Sequence, residues 1–184
     1  MLTGEGGAAL VLETLDGALA RGARIYAEVL GYAMSCDALH PSAPDAGSIT
    51  RCMRSALARS GVTPEQVDYI CAHGTGTRVN DRVESEAIRR VYGERVPPVS
   101  SVKSMLGHAM GAASGFGAVA GALALSRGFI PPTINHRHVD PELGDIDPVP
   151  GIAREAELRV VQNNAFGFGG NNAIVVLGSP LCAS

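Results

Sequence analysis

The stretch Val99–Arg127, VSSVKSMLGHAMGAASGFGAVAGALALSR, constrains this chain more than any other. It opens as a short apolar run, crosses Lys103-Ser-Met-Leu-Gly-His108, and carries no charged side chain from Ala109 to Leu125. That uncharged run is shorter than the roughly 20 residues a helix needs to cross a bilayer, and no paired anchors flank it. Its Gly and Ala content predicts a helix packed closely on every side inside a soluble protein. Glycine costs about 1 kcal/mol against alanine in a helix interior. Gly111, Gly115, Gly117 and Gly121 therefore predict that other backbones approach where a side chain would not fit. Lys103 and His108 sit at the entrance of this helix, and an ammonium beside an imidazole there marks the place where chemistry is expected.

Composition sets the outer limits. The 184 residues make one domain or a large piece of one, and 46% hydrophobic against 18% charged residues excludes a disordered chain. A net charge of −3 gives no reason to expect nucleic acid or an anionic membrane as partner. Cys36, Cys52, Cys71 and Cys182 show no CxxC spacing and follow no secretory leader, so the expectation is a reducing, cytoplasmic setting without disulfides or zinc. The start, MLTGEGGAALVLE, enters a turn and a strand at once, which leads to the expectation that something normally precedes it.

In chain order, strands and helices alternate. Strands are predicted at Ala8–Glu13, Ile25–Met34, Val67–Ala72, Pro98–Ser101, Arg159–Asn164 and Ala173–Leu177. Helices are predicted at Leu15–Arg21, Ser48–Ser60 and Asp81–Tyr92, with the apolar helix after Lys103. Ile49, Met53, Ala56 and Leu57 form a helical stripe stopped by Gly61, and Thr63-Pro-Glu-Gln is a capping box with Pro at the first helical position. His40–Ala46 and Asp140–Ile152 are loops, and Gly128–His138 is a Pro-containing connection. No internal repeat is evident. The alternation predicts an α/β layered fold around a mixed central sheet.

Three segments stand out at the ends of these elements: His73-Gly-Thr-Gly-Thr, Lys103-Ser-Met-Leu-Gly-His108, and Asn164-Ala-Phe-Gly-Phe-Gly-Gly. Singly each has a plain structural explanation; in this order and spacing they point together to a site. With GEGGAALVLE, HGTGTRVND, KSMLGHAMGAAS, PPTIN and NAFGFGGNN, the chain resembles the β-ketoacyl-[acyl carrier protein] synthases, the decarboxylating condensing enzymes of fatty acid and polyketide synthesis. The resemblance implies a thiolase-like fold, in which two pseudo-symmetric α/β halves form a five-layer αβαβα sandwich. Residues 1–184 would be the C-terminal half, and the N-terminal half is absent.

By that resemblance, His73 and His108 match the two histidines that polarise the malonyl thioester carbonyl and stabilise the enolate left when carbon dioxide departs. Lys103 matches a lysine that holds the site's hydrogen bonds and charge. Asp81 and Glu84 match acids of that network, on one helix face by their spacing. Thr75 and Thr77 match threonines that bond the phosphopantetheine arm, and Gly167 and Phe168 line the substrate side of the Gly-rich loop. Phe166 matches the gating phenylalanine, whose backbone N–H contributes to the oxyanion hole. The implied partners are acyl carrier protein and the missing N-terminal half or a second subunit, as a homo- or heterodimer. No cofactor is implied, since the substrates ride on the carrier's phosphopantetheine.

Two departures matter. None of the four cysteines occupies a motif position like that of the family's nucleophile, so no nucleophile is expected in this chain. Gly117 stands where the family usually has a glutamate that partners the lysine. Asp81 and Glu84 are then the acids left to reach Lys103. The expectation is a carboxylate oxygen within about 4 Å of its ammonium, or one water between them, and a Gly117→Glu change that the backbone accommodates. The alternative is a non-catalytic, chain-length-factor-like or degenerate partner subunit. A degradative thiolase is disfavoured, because thiolases carry a second cysteine in the late loop that here reads GFGGNN. Gly115-Phe-Gly-Ala-Val-Ala is no dinucleotide fingerprint, lying within a helix with no acid about 20 residues on. His136-Arg-His-Val-Asp is read as a loop and not as a metal site.

Overall fold

A computed structural model describes residues 1–138 and 140–180, so Cys182 and Val139 lie outside the described residues. The order of elements is α1 (Leu15–Ala20), β1 (Glu28–Cys36), α2 (Ala46–Arg59), β2 (Tyr69–Cys71), α3 (Arg78–Tyr92), β3 (Val99–Ser100), α4 (Lys103–Leu106), α5 (Ala113–Arg127), β4 (Phe129–Ile130), β5 (Arg154–Glu155), β6 (Val160–Gly167) and β7 (Asn171–Gly178). Short 3₁₀ turns at Pro64–Gln66, Met110–Ala112 and Pro141–Leu143 complete the list. Local chemistry sets most of these boundaries. The Asp45 side chain accepts the Ser48 N–H to start α2, and the Thr63–Gln66 capping box forms as expected.

The main sheet runs β1-β7-β6-β2-β3. β1, β7 and β6 pair antiparallel, whereas β2 pairs parallel with both β6 and β3, so the sheet is mixed. Helices α2 and α3 pack together on one face and α5 covers the other, giving three layers. Alternation along the strands feeds two cores. Ile70, Ala72, Val160, Ile174 and Val176 meet Ile49, Met53, Leu57 and Ile88 on the α2–α3 side. Tyr69, Cys71, Val161 and Leu177 meet Ala124 and Leu125 on the α5 side. No described helix is long and apolar enough to cross a membrane.

Two sequence expectations fail. Ala8–Glu13 is not a strand; its Leu10, Val11 and Leu12 side chains are exposed. Strand propensity is realised only against a neighbour that completes the ladder, and no described strand pairs with this segment. Nor is the apolar stretch one helix buried all round. Gly107, at φ +73°, ends α4, and a 3₁₀ turn intervenes before α5 begins at Ala113. Only the face carrying Ala113, Gly117, Gly121, Ala124 and Leu125 is buried, because a single sheet lies against it.

Three of the four glycines are closely approached, but by side-chain atoms and not by the backbones that were expected. A Cβ on Gly117 would lie 2.3 Å from Asn163 Oδ1, one on Gly121 3.2 Å from Val161 Cγ1, and one on Gly115 2.7 Å from Ala8 Cβ. Gly111 precedes the helix and has open space around it.

Candidate active site

The three motif loops converge at one end of the sheet. β2 delivers His73, β3 and α4 deliver Lys103 and then His108, and β6 delivers Phe166. The His73 and His108 rings stand edge to face with centroids 5.5 Å apart, and the Phe166 ring lies 5.3 Å from His73. All three line a cleft of about 460 Å³, together with Thr75, Thr77, Gly167 and Phe168. The Thr75 and Thr77 hydroxyls are 2.8 Å apart and bonded to each other. Every residue named from sequence for substrate contact therefore faces the same space.

Both histidines are arranged as neutral donors. His108 Nδ1 accepts the Met110 N–H at 3.0 Å, which leaves the proton on Nε2. The Lys103 ammonium lies 3.5 Å from His73 Nδ1, so that nitrogen is the acceptor and Nε2 again bears the proton. Burial, reinforced by the charges of Lys103 and His108, pushes the His73 imidazolium down to about 3. Burial and Lys103 lower His108 in the same direction. A second hold on His108 comes from the chain start: its N–H donates to Leu2 O at 2.8 Å and its carbonyl accepts the Gly4 N–H at 3.0 Å.

The acids make no direct ion pair with Lys103. Among the described residues no carboxylate oxygen comes within 4.0 Å of its ammonium. Lys103 Nζ donates instead to the His73 carbonyl at 2.5 Å. Glu84 binds the other side of the same loop, its two oxygens accepting the His73 and Gly74 N–H groups at 2.8 Å each. Asp81 accepts the Gly76 N–H at 3.3 Å. The physical reason is competition: buried peptide N–H groups of the His73 loop need acceptors, and the i,i+3 acids of α3 lie beneath them. Burial lowers Lys103, and the charges of Glu84, Cys71 and Asp81 draw it back up. Lys103, Glu84 and Asp81 also line a second cleft of about 440 Å³ on the far side of the His73 loop, shared with Thr133 and His136.

Sequence reasoning passed over the loop after β1. Asp37, His40 and Pro41–Pro44 line the cleft mouth. Asp37 accepts the Asn172 side-chain N–H at 2.6 Å and the Asp45 N–H at 2.9 Å, and the Gly169 N–H donates to Pro41 O at 2.7 Å. The loop is thus stitched to the Gly-rich turn below Phe166. Asn172 closes the NAFGFGGNN motif and was the signal available for this contact. No described cysteine is placed as an activated nucleophile: burial pushes the Cys71 thiol up to about 11 and raises Cys52 as well, while exposed Cys36 donates to Gly169 O at 3.3 Å.

The mixed sheet, its helical layers and the loop cluster define a thiolase-like α/β condensing-enzyme fold. The family described as beta-ketoacyl synthase, C-terminal domain, matches residues 26–137, and the chain belongs to it. The 3-oxoacyl-[acyl-carrier-protein] synthase 2 of Synechocystis sp. is 49% identical over 173 residues, 92% of this chain and 41% of the relative. A solved ishigamide ketosynthase/chain length factor is 59% identical with a TM-score of 0.94, covering 96% of this chain and 44% of that one. A type II PKS acyl-carrier protein in complex with its ketosynthase, bound to the hexaketide, matches at 36% identity and a TM-score of 0.87, over 91% of this chain and 42% of that one. The chain spans less than half the length of the relatives it matches.

Proposed function

We propose that the chain is the carbonyl-polarising half of a β-ketoacyl synthase, acting on malonyl and acyl groups carried by acyl carrier protein in fatty acid or polyketide synthesis. The observation that carries this reading is the pair of neutral, Nε2-protonated histidines on one cleft. When the malonyl carboxylate leaves as carbon dioxide, the electrons of that bond pass to the α-carbon and the thioester oxygen. Two pre-oriented N–H donors stabilise the developing oxyanion most where water is excluded. The enolate carbon then attacks an acyl thioester on a cysteine supplied by residues outside this chain, and that thiolate leaves. Thr75 and Thr77 hold the pantetheine arm, Gly167 and Phe168 flank it, and Phe166 gates its approach. The carrier protein as partner is supported by the carrier–ketosynthase complex among the similar structures. The reading asks for no cofactor or metal.

The second reading, a chain-length-factor-like partner subunit, is favoured by one observation: Asn163 fills the place where the family's glutamate would start at Gly117. The deciding experiment combines this chain with a cysteine-bearing N-terminal half and assays loss of carbon dioxide from malonyl-carrier protein. The chain alone is expected to give no ketoacyl product, and the combination is expected to decarboxylate. Product from the chain alone, or no decarboxylation by the combination, would count against the proposal.

A further inference from the structure

Beneath the His73 loop runs a line of buried side chains: Tyr92, Gln162 and Asn164 reach neither cleft, and the line ends on Glu84 at the wall of the second. The Tyr92 hydroxyl, at the end of α3, donates to Gln162 Oε1 at 2.8 Å. Gln162 Nε2 donates to Asn164 Oδ1 at 2.8 Å, and Asn164 Nδ2 donates to Glu84 Oε1 at 3.0 Å. Asn80 Nδ2 adds a contact to Glu84 Oε2 at 3.3 Å. With the His73 and Gly74 N–H groups, Glu84 receives four donors, the full complement of lone-pair sites on an ionised carboxylate. Gln162 is 0% exposed, Asn164 2%, Glu84 3% and Tyr92 6%, so water does not replace a missing partner.

Every bond in this line points toward Glu84, and the direction is not free. An amide bonds equally well after exchanging its oxygen and nitrogen, so Gln162 and Asn164 could together run the other way. The reversed line would set Asn164 Oδ1 against Glu84, which requires a protonated carboxyl, and would make Tyr92 an acceptor. Its own O–H would then lose Gln162 Oε1, the one acceptor the structure gives it. An unmet buried hydroxyl is costly.

We propose that Tyr92 and Gln162 are positioning residues for the His73 loop: the Tyr92 hydroxyl sets the direction of the relay, and the relay keeps Glu84 a carboxylate that grips the His73 and Gly74 peptides. The catalytic part of this rests on the function proposed above. Burial works against the carboxylate and raises Glu84, while the Gly74, Asn164 and His73 donors bring it back down. The other titratable groups around Glu84 are Asp81 on its own helix, His73 on the loop, Lys103 on α4 and Cys71 on β2.

The test takes the full chain labelled with ¹³C at the glutamate carboxyls and follows the Glu84 resonance against pH in wild type, Tyr92→Phe and Gln162→Leu. Both substitutions are expected to move the Glu84 titration to higher pH. An unchanged Glu84 titration in folded Tyr92→Phe, which loses a single oxygen atom, overturns the relay even if Gln162→Leu does not fold. In the two-half enzyme, Tyr92→Phe is expected to lower kcat for decarboxylation by roughly two- to tenfold, the range one net hydrogen bond is worth, at unchanged KM. Equal kcat overturns the positioning role. A Glu84 shift in the chain, with no decarboxylation by the wild-type two-half enzyme, would instead sink the proposed function and leave the relay standing.

Discussion

The Asn163 carboxamide occupies the space a side chain on Gly117 would need, its Oδ1 2.3 Å from where a Cβ would be built. Asn163 is 4% exposed, and its Nδ2 donates to Ser114 O at 3.3 Å. A Gly117→Glu side chain therefore fits only if Asn163 shifts. The helix and β6 approach one another here because one residue is a glycine and the other fills the gap.

The first prediction follows from that pair. Gly117→Glu alone should lower stability by about 1–3 kcal/mol, the usual cost of overpacking. Adding Asn163→Ser should recover much of the loss, since it frees the occupied volume. Thermal melts of the two variants check this; an unshifted midpoint for Gly117→Glu alone would show that Asn163 yields without cost.

His73 makes stability depend on pH. Its imidazole titrates at an ordinary 6.5 when unfolded but near 3 when folded. Between these values the unfolded chain holds the extra proton, so stability is lost as pH falls from 6.5. From pH 6.5 to 4.5 the loss should be about 2–3 kcal/mol, with His108 adding in the same direction. His73→Gln should lose correspondingly less over that window in urea titrations. Equal acid sensitivity would mean that His73 does not stay neutral in the folded state.

Each histidine should matter to the chemistry more than to the fold. In the two-half enzyme, His73→Ala or His108→Ala is expected to slow decarboxylation by roughly 10²–10³, the usual loss for one oxyanion donor. Acylation of the partner cysteine should suffer less. Variants that fail to accumulate as folded protein would mark the two rings as structural.

Phe166 is half-buried, with its ring against His73 and the α2–α3 core. Phe166→Ala should shift the balance between acyl transfer and elongation while costing less than the roughly 3–5 kcal/mol of a core phenylalanine. A melt and a paired transfer and elongation assay separate these effects. A full core-sized drop in stability with unchanged partitioning would refute the gate.

Much of this molecule was legible in local pattern. The stripe Ile49-Met53-Ala56-Leu57, its stop at Gly61 and the Thr63 capping box marked where elements start and stop, because those signals depend on residues a few positions apart. The motifs bearing His73, Lys103, His108 and Phe166 were visible as short segments, and His73, His108 and Phe166 meet in one cleft while Lys103 lines the second. Other features were decided only by tertiary structure. Whether Ala8–Glu13 becomes a strand depends on a neighbouring strand, and how much of α5 is buried depends on how many sheets lie against it. Lys103 takes the His73 carbonyl because α3 had already brought Glu84 and Asp81 under the loop's N–H groups. Tyr92 and Gln162, 70 positions apart, were invisible as a pair, since hydrophobic period reports which face a residue occupies and says nothing of the polar atom it will meet across the core.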